Sequence, residues 1–176
     1  MKEKFLFVGI IALAVVALDH YTKWLIVENL AYDSSVSIFD GIFEIVHTRN
    51  LGAAFGMLSA WDSPYRNLFF YTIGGFAFWF LSTYIQSTET NDKMTLTALA
   101  FIAGGAAGNL TDRFFRGSVV DFLHLHYYNN VATFDFLDYP LVIPLSWPAF
   151  NIADSAISVG VVLLIYRTFF PKKMAR

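Results

Sequence analysis

The chain has 176 residues, of which 56% are hydrophobic and only 15% charged, with a mean hydropathy of +0.51. Soluble domains carry roughly 25% charged residues, so an ordinary water-facing globule is excluded and one compact membrane domain is the natural reading. The net charge of −2 gives no electrostatic basis for binding nucleic acid, and the lack of cysteine removes disulfides, thiolate nucleophiles and cysteine-ligated metals.

A spanning helix needs about 20 mostly apolar residues. Four stretches within the single domain 1–176 meet that requirement, at about 5–27, 67–85, 94–110 and 152–170. The first opens with Lys2 and Lys4, as a secretory leader does. Its apolar run continues past Asp19 and Lys23 to Val27 with no small-residue cleavage site after it, which predicts a retained helix. Asp19 and Lys23 are four residues apart and share one helix face, where an interfacial ion pair anchoring the helix is the simplest reading.

The connection 28–66 is predicted to lie outside the membrane. Residues 36–48 (VSIFDGIFEIVHT) place β-branched and aromatic residues around Asp40-Gly41, a hairpin signal. Two strands alone are marginal in water, so this hairpin is expected to rest on the helix ends or at the lipid interface. Asn50, Gly52 and Phe55 follow in RNLGAAFG, a glycine-rich turn just before the second span.

The third span is rich in small residues (Ala98, Ala100, Ala103, Gly104, Gly105, Ala106, Ala107, Gly108), which lets neighbouring backbones approach closely and predicts a central helix. Asn109, Asp112 and Arg113 fall at its end. An amide and a guanidinium there suit the orientation of a peptide carbonyl or a carboxylate, whereas Asp112, beside Arg113, reads as a solvated surface charge.

The connection 111–151 is also predicted to be external. It contains Asp121, then His124 and His126, giving D-x-x-H-x-H. A metal site from these three is one reading; histidines exposed or hydrogen-bonded in an aromatic-rich loop are the commoner one. Pro148 is expected to end any regular structure, and Asn151 to cap the fourth span with Asp154 in its first turn.

Lysine and arginine favour the termini and the 86–93 turn (Lys2, Lys4, Lys93, Arg167, Lys172, Lys173, Arg176) over the long connections (Arg49, Arg66, Arg113, Arg116). The positive-inside bias therefore puts both termini in the cytoplasm. Tyr32, Phe39, Phe43, Trp61, Tyr65, Tyr127, Tyr128 and Trp147 fit an aromatic belt at the outer interface.

Asp121 and Asp154 then sit at the same membrane surface, and ionisable groups at that depth are functional candidates by default. Asp154 gains from the helix dipole, which favours its ionised form. The apolar Val-Val-Asp-Phe setting of Asp121 raises proton affinity. Together they would share one proton, with Asp154 as base and Asp121 as acid, as in aspartic proteases. No H-E-x-x-H or G-x-S-x-G is present, so zinc-protease and serine routes have no motif.

Four ordered segments carry a family resemblance. Asp19-His-Tyr-Thr-Lys23, Asn50-Leu-Gly-Ala-Ala-Phe-Gly56, Gly104 to Arg113 with Val119-Val-Asp-Phe122, and Phe150-Asn-Ile-Ala-Asp154 resemble the lipoprotein signal peptidase (signal peptidase II) family over essentially the whole chain. The resemblance implies a four-transmembrane-helix bundle with a small extracytoplasmic β-cradle. It implies an aspartyl endopeptidase of the bacterial cytoplasmic (inner) membrane, with its site on the extracytoplasmic face. Such an enzyme cuts prolipoproteins before a diacylglyceryl-modified cysteine and needs no metal or other cofactor. Its dyad would be Asp121 and Asp154. Asp19, Lys23, Asn50, Gly52, Gly105, Asn109, Arg113, Asn151 and Ala153 match the positions around the site. The expected partners are that substrate and membrane lipids, with the enzyme a monomer. One departure is a long stretch between Asp121 and Asp154, with an extra apolar and aromatic piece around 131–147 that brings in Asp135 and Asp138 as minor competitors.

A small proton- or cation-coupled transporter, with Asp19, Lys23 and Asp154 along its path, is the alternative from another class. A through-path needs polar residues at several depths, and the sequence gathers them on one face.

Overall fold

A computed structural model describes residues 1–52, 64–136 and 139–170, without the side chains of 64, 129–130, 133–136, 139–142 and 144. Phe55, Trp61, Asp138, Lys172, Lys173 and Arg176 lie outside the described residues.

Four helices carry the apolar stretches: α1 (Lys2–Asn29), α2 (Pro64–Ser87), α3 (Lys93–Arg116) and α4 (Ile152–Phe169). All four are long and apolar enough to cross a membrane; α1, α2 and α3 extend past both boundaries expected from the sequence, and α4 ends one residue short of the one expected at 170. Their surfaces are greasy nearly all round. Leu13, Phe76, Trp79 and Val162 are each more than 60% exposed, as expected where lipid tails are the solvent.

α3 is the central helix, packed between α1 and α4 and against α2. Its small residues make this possible. A Cβ at Gly105 would overlap the Ala153 carbonyl of α4, and one at Gly108 would sit 2.7 Å from an oxygen of Asp19 on α1. Val8, Leu81, Ile85, Leu96, Leu99 and Ala100 from α1, α2 and α3 form the buried apolar cluster.

The N-terminal end of α1 is fastened by helix caps. Lys4 Nζ donates to the carbonyls of Gln86 (2.8 Å) and Thr88 (2.6 Å) at the close of α2. Asp92 caps α3 through Thr95 and pairs with Arg167 of α4 at 3.1 Å.

At the opposite end lies an antiparallel sheet of β1 (Ser35–Phe39), β2 (Phe43–Asn50), β3 (Val119–Phe136) and β4 (Tyr139–Phe150), in the order β1-β2-β3-β4. The hairpin expected at 36–48 is present, turning through Gly41 at φ 72°, a conformation glycine adopts without strain. The long 111–151 connection differs from expectation. Its extra piece is not a loop but a second hairpin, and Pro148 does not end regular structure, because β4 runs through it to Phe150. β4 pairs on one side only, and an edge strand tolerates prolines whose missing N–H would face outwards. Asp135 lies near the far tip of this hairpin, opposite Pro140.

Candidate active site

β2 and β3 deliver the first half of the site. Their register sets Thr48 beside Asp121 and Asn50 beside Val119, so both strands finish against the end of α3. Asp121 is buried, 3% exposed, next to the buried Val119, Val120 and Phe122. Burial pushes its carboxyl up to about 7, helped by the negative charge of Asp154; hydrogen bonds from Asn50 and Asn151 and the charge of Lys23 oppose the rise. A carboxyl so placed still carries its proton about half the time at neutral pH.

α4 delivers the second half. Asn151 caps it: Asn151 Oδ1 accepts from Asp154 N (2.9 Å), and Asp154 Oδ2 accepts from Asn151 N (3.1 Å). This is a reciprocal capping box with aspartate in the usual place of glutamate. The other oxygen, Asp154 Oδ1, accepts from Asn109 Nδ2 at 2.7 Å. Asn151 Nδ2 reaches across to Asp121 Oδ1, also at 2.7 Å. One asparagine thus holds both carboxyls.

Beneath the pair lies a buried ionic core. Lys23 is fully buried and contacts Asp19 Oδ2 (2.7 Å), Asp112 Oδ2 (2.8 Å) and Asn109 Oδ1 (3.0 Å). Asp19 Oδ1 accepts from the Ala153 amide at 3.0 Å and so orients the first turn of α4. Two expectations change here. The Asp19–Lys23 pair is not an interfacial anchor but the centre of a buried network. Asp112 is not a solvated surface charge: it is 1% exposed and joins Lys23 to Arg116, with the Val120 amide at 3.4 Å. Sequence adjacency to Arg113 hid this, because its partner Lys23 comes from another helix. Helical spacing to Arg116 was the available clue.

The remaining positions line the same place. Arg113 Nη2 donates to the Gly52 carbonyl (2.7 Å) and Nη1 to the Asn109 carbonyl (3.3 Å), with its guanidinium 4.4 Å from the Phe70 ring centre. Its charge faces both Asp121 and Asp154, and its buried Nε has no hydrogen-bond partner among the described residues. Asn50 Oδ1 holds the Gly52 amide at 2.9 Å. Gly105 admits the Ala153 backbone, as above. All eleven candidate residues therefore meet at one end of the bundle, in a single connected set.

Asp121 does not join the two histidines. His124 and His126 stack at 5.1 Å beside Glu44 of β2, further along the sheet.

Two carboxyls held by one asparagine, one buried among apolar residues and one at a helix N-terminus, are a pair suited to acid–base work on a water and a carbonyl. Comparison with known proteins shows what the chain is similar to. The sequence matches the family described as signal peptidase (SPase) II over residues 11–170. A lipoprotein signal peptidase of Solibacter usitatus is 36% identical over 165 residues, covering 94% of this chain and 92% of that protein. A bacterial membrane enzyme solved in meso at 2.3 Å superposes with a TM-score of 0.73 at 27% identity, over 96% of this chain and 93% of that one. A second, at 1.9 Å, gives 0.71 at 28% identity, over 94% of each.

Proposed function

Because the chain belongs to the signal peptidase II family, we propose that it works as an aspartyl endopeptidase with Asp121 and Asp154 as its catalytic pair. It is a multi-pass membrane peptidase, and it removes signal peptides from lipoproteins. The observation that carries the aspartyl assignment is the Asn151 bridge, which holds one raised and one helix-capped carboxyl together.

In this reading Asp154, held by the Asn151 amide in the first turn of α4, takes a proton from water. Asp121 donates its proton to the scissile carbonyl oxygen, and the roles reverse as the tetrahedral intermediate collapses. Arg113 Nε is a spare donor for a substrate carbonyl. The bond cut is the one before a diacylglyceryl-modified cysteine. Signal helix and acyl chains hold that bond at the outer interface, so membrane anchoring supplies positioning that a soluble protease must obtain from peptide contacts.

The enzyme acts as a monomer in the bacterial cytoplasmic membrane, with the sheet end outside and both termini in the cytoplasm. Lys2, Lys4, Lys93 and Arg167 at the opposite end support that orientation. Transport is not favoured. Between the Asp19 level and Thr95, near the Lys4 end, the buried residues of α3 are Leu96, Ala98, Leu99, Ala100, Gly104 and Gly105, none with a polar side chain to continue a path.

The test compares wild type, Asp121→Asn and Asp154→Asn in detergent on a diacylglyceryl-modified signal-peptide substrate. Each substitution is expected to cost at least about 10³-fold in kcat with the thermal transition retained. Wild-type turnover in either variant would overturn the assignment.

A further inference from the structure

We propose that Glu44, His124 and His126 form a binding site for a divalent transition-metal ion, with zinc the best match, on the sheet and apart from the aspartate pair. Glu44 on β2 lies opposite His124 in the strand register, and His126 is two residues further along β3. Alternate residues of a strand project to the same face, and the two imidazoles stack with an interplanar angle of 20°. One ligand atom from each residue falls within 4.8 Å of the others.

The contacts resemble a ligand cage more than a hydrogen-bond network. Glu44 Oε2 is 3.6 Å from His124 Nδ1, and Glu44 Oε1 is 3.6 Å from His126 Nε2. Both separations are long for hydrogen bonds. They are close to the roughly 3.4 Å edge of a tetrahedron built on zinc–ligand bonds of about 2.0–2.1 Å. His126 is buried, 8% exposed, and neither of its ring nitrogens has a hydrogen-bond partner among the described residues. An imidazole left in that state is costly unless something else binds it.

His124 has a fixing contact of the kind that metal-bound histidines use. Its Nε2 lies 3.0 Å from Ser146 Oγ of β4. With the ring proton on Nε2, the Nδ1 lone pair points at the Glu44 side. Two imidazoles and one carboxylate suit zinc and its neighbours rather than calcium or magnesium. Glu44 and His124 are only partly buried and line an open cavity with Asp33, Ser34 and Thr48, which leaves an entry route and room for water as a fourth ligand.

His124 is three steps along β3 from Asp121, about 10 Å at ordinary strand rise. An ion here would clamp β2 to β3, the two strands whose ends bring Asn50 and Asp121 to the active site, without touching the reacting atoms. The carboxylate pair does not need it for chemistry.

The test uses the full chain in detergent, stripped of metal and titrated with zinc chloride alone. Calorimetry and metal analysis should give one ion per chain, with a thermal transition that rises with zinc. The His124→Ala/His126→Ala double variant should lose more than about 100-fold in affinity, Glu44→Gln and Ser146→Ala each about 10-fold or more, and Asp121→Asn nothing. Glu44→Gln and Ser146→Ala are mild enough to keep the sheet intact should the double variant not fold. Absence of zinc binding by the wild-type chain, or zinc binding unchanged in Glu44→Gln and Ser146→Ala, would overturn the proposal. So would loss of the ion in Asp121→Asn, which would move it to the aspartates.

Discussion

The two ends of the helix bundle both carry charge, and they use it differently. At the Lys4 end the charged hydrogen bonds among the described residues serve helix termini: Lys4 on the last carbonyls of α2, Asp92 on the amide and hydroxyl of Thr95 in the first turn of α3, Arg167 on Asp92. At the sheet end Lys23, Asp19 and Asp112 are buried together and lead through Asn109 and Asn151 to two carboxyls. The aspartates of the two ends diverge accordingly. Burial works to raise Asp92, but hydrogen bonds from Thr95 and Arg167 outweigh it and hold its carboxyl below the usual range. Asp121 goes the other way, to about 7. Caps need a charge; an acid catalyst needs a proton.

The largest contrast should come from removing the lysine at each end. Lys23→Met strands Asp19 and Asp112 without their cation and is expected to cost about 3–5 kcal/mol, with activity collapsing alongside. Lys4→Met loses two hydrogen bonds to carbonyls and should cost about 1–3 kcal/mol, leaving kcat intact. Thermal unfolding in detergent, read beside turnover, separates the two; equal losses would erase the distinction between network and cap.

Asn151→Ala tests the bridge itself. The lost cap should cost about 1–2 kcal/mol. Losing a shared partner for both carboxyls should lower kcat by about 10²-fold. A stability loss with kcat unchanged would reduce Asn151 to a cap. Arg167→Gln should do least: under about 1 kcal/mol and no change in kcat, checked by the same two measurements.

These ends were not equally legible in the sequence. The four helices follow from long apolar runs, and the central place of α3 from its glycines and alanines. The first hairpin follows from Asp40-Gly41. The second was hidden, because Pro148 reads as a breaker until β4 is known to be an edge strand. The motif residues could be listed from the sequence, whereas the network joining them could not. Asp112 meets Lys23, and Glu44 meets the two histidines, only through helix packing and strand register.

The shared proton is most directly tested by kcat/KM against pH on the lipidated substrate. With Asp121 held near 7, the acid form is lost as pH rises through that value, so the rate should fall about tenfold for each unit above it. A rate that stays level from about pH 6 to about pH 9 would contradict a protonated Asp121 as the acid.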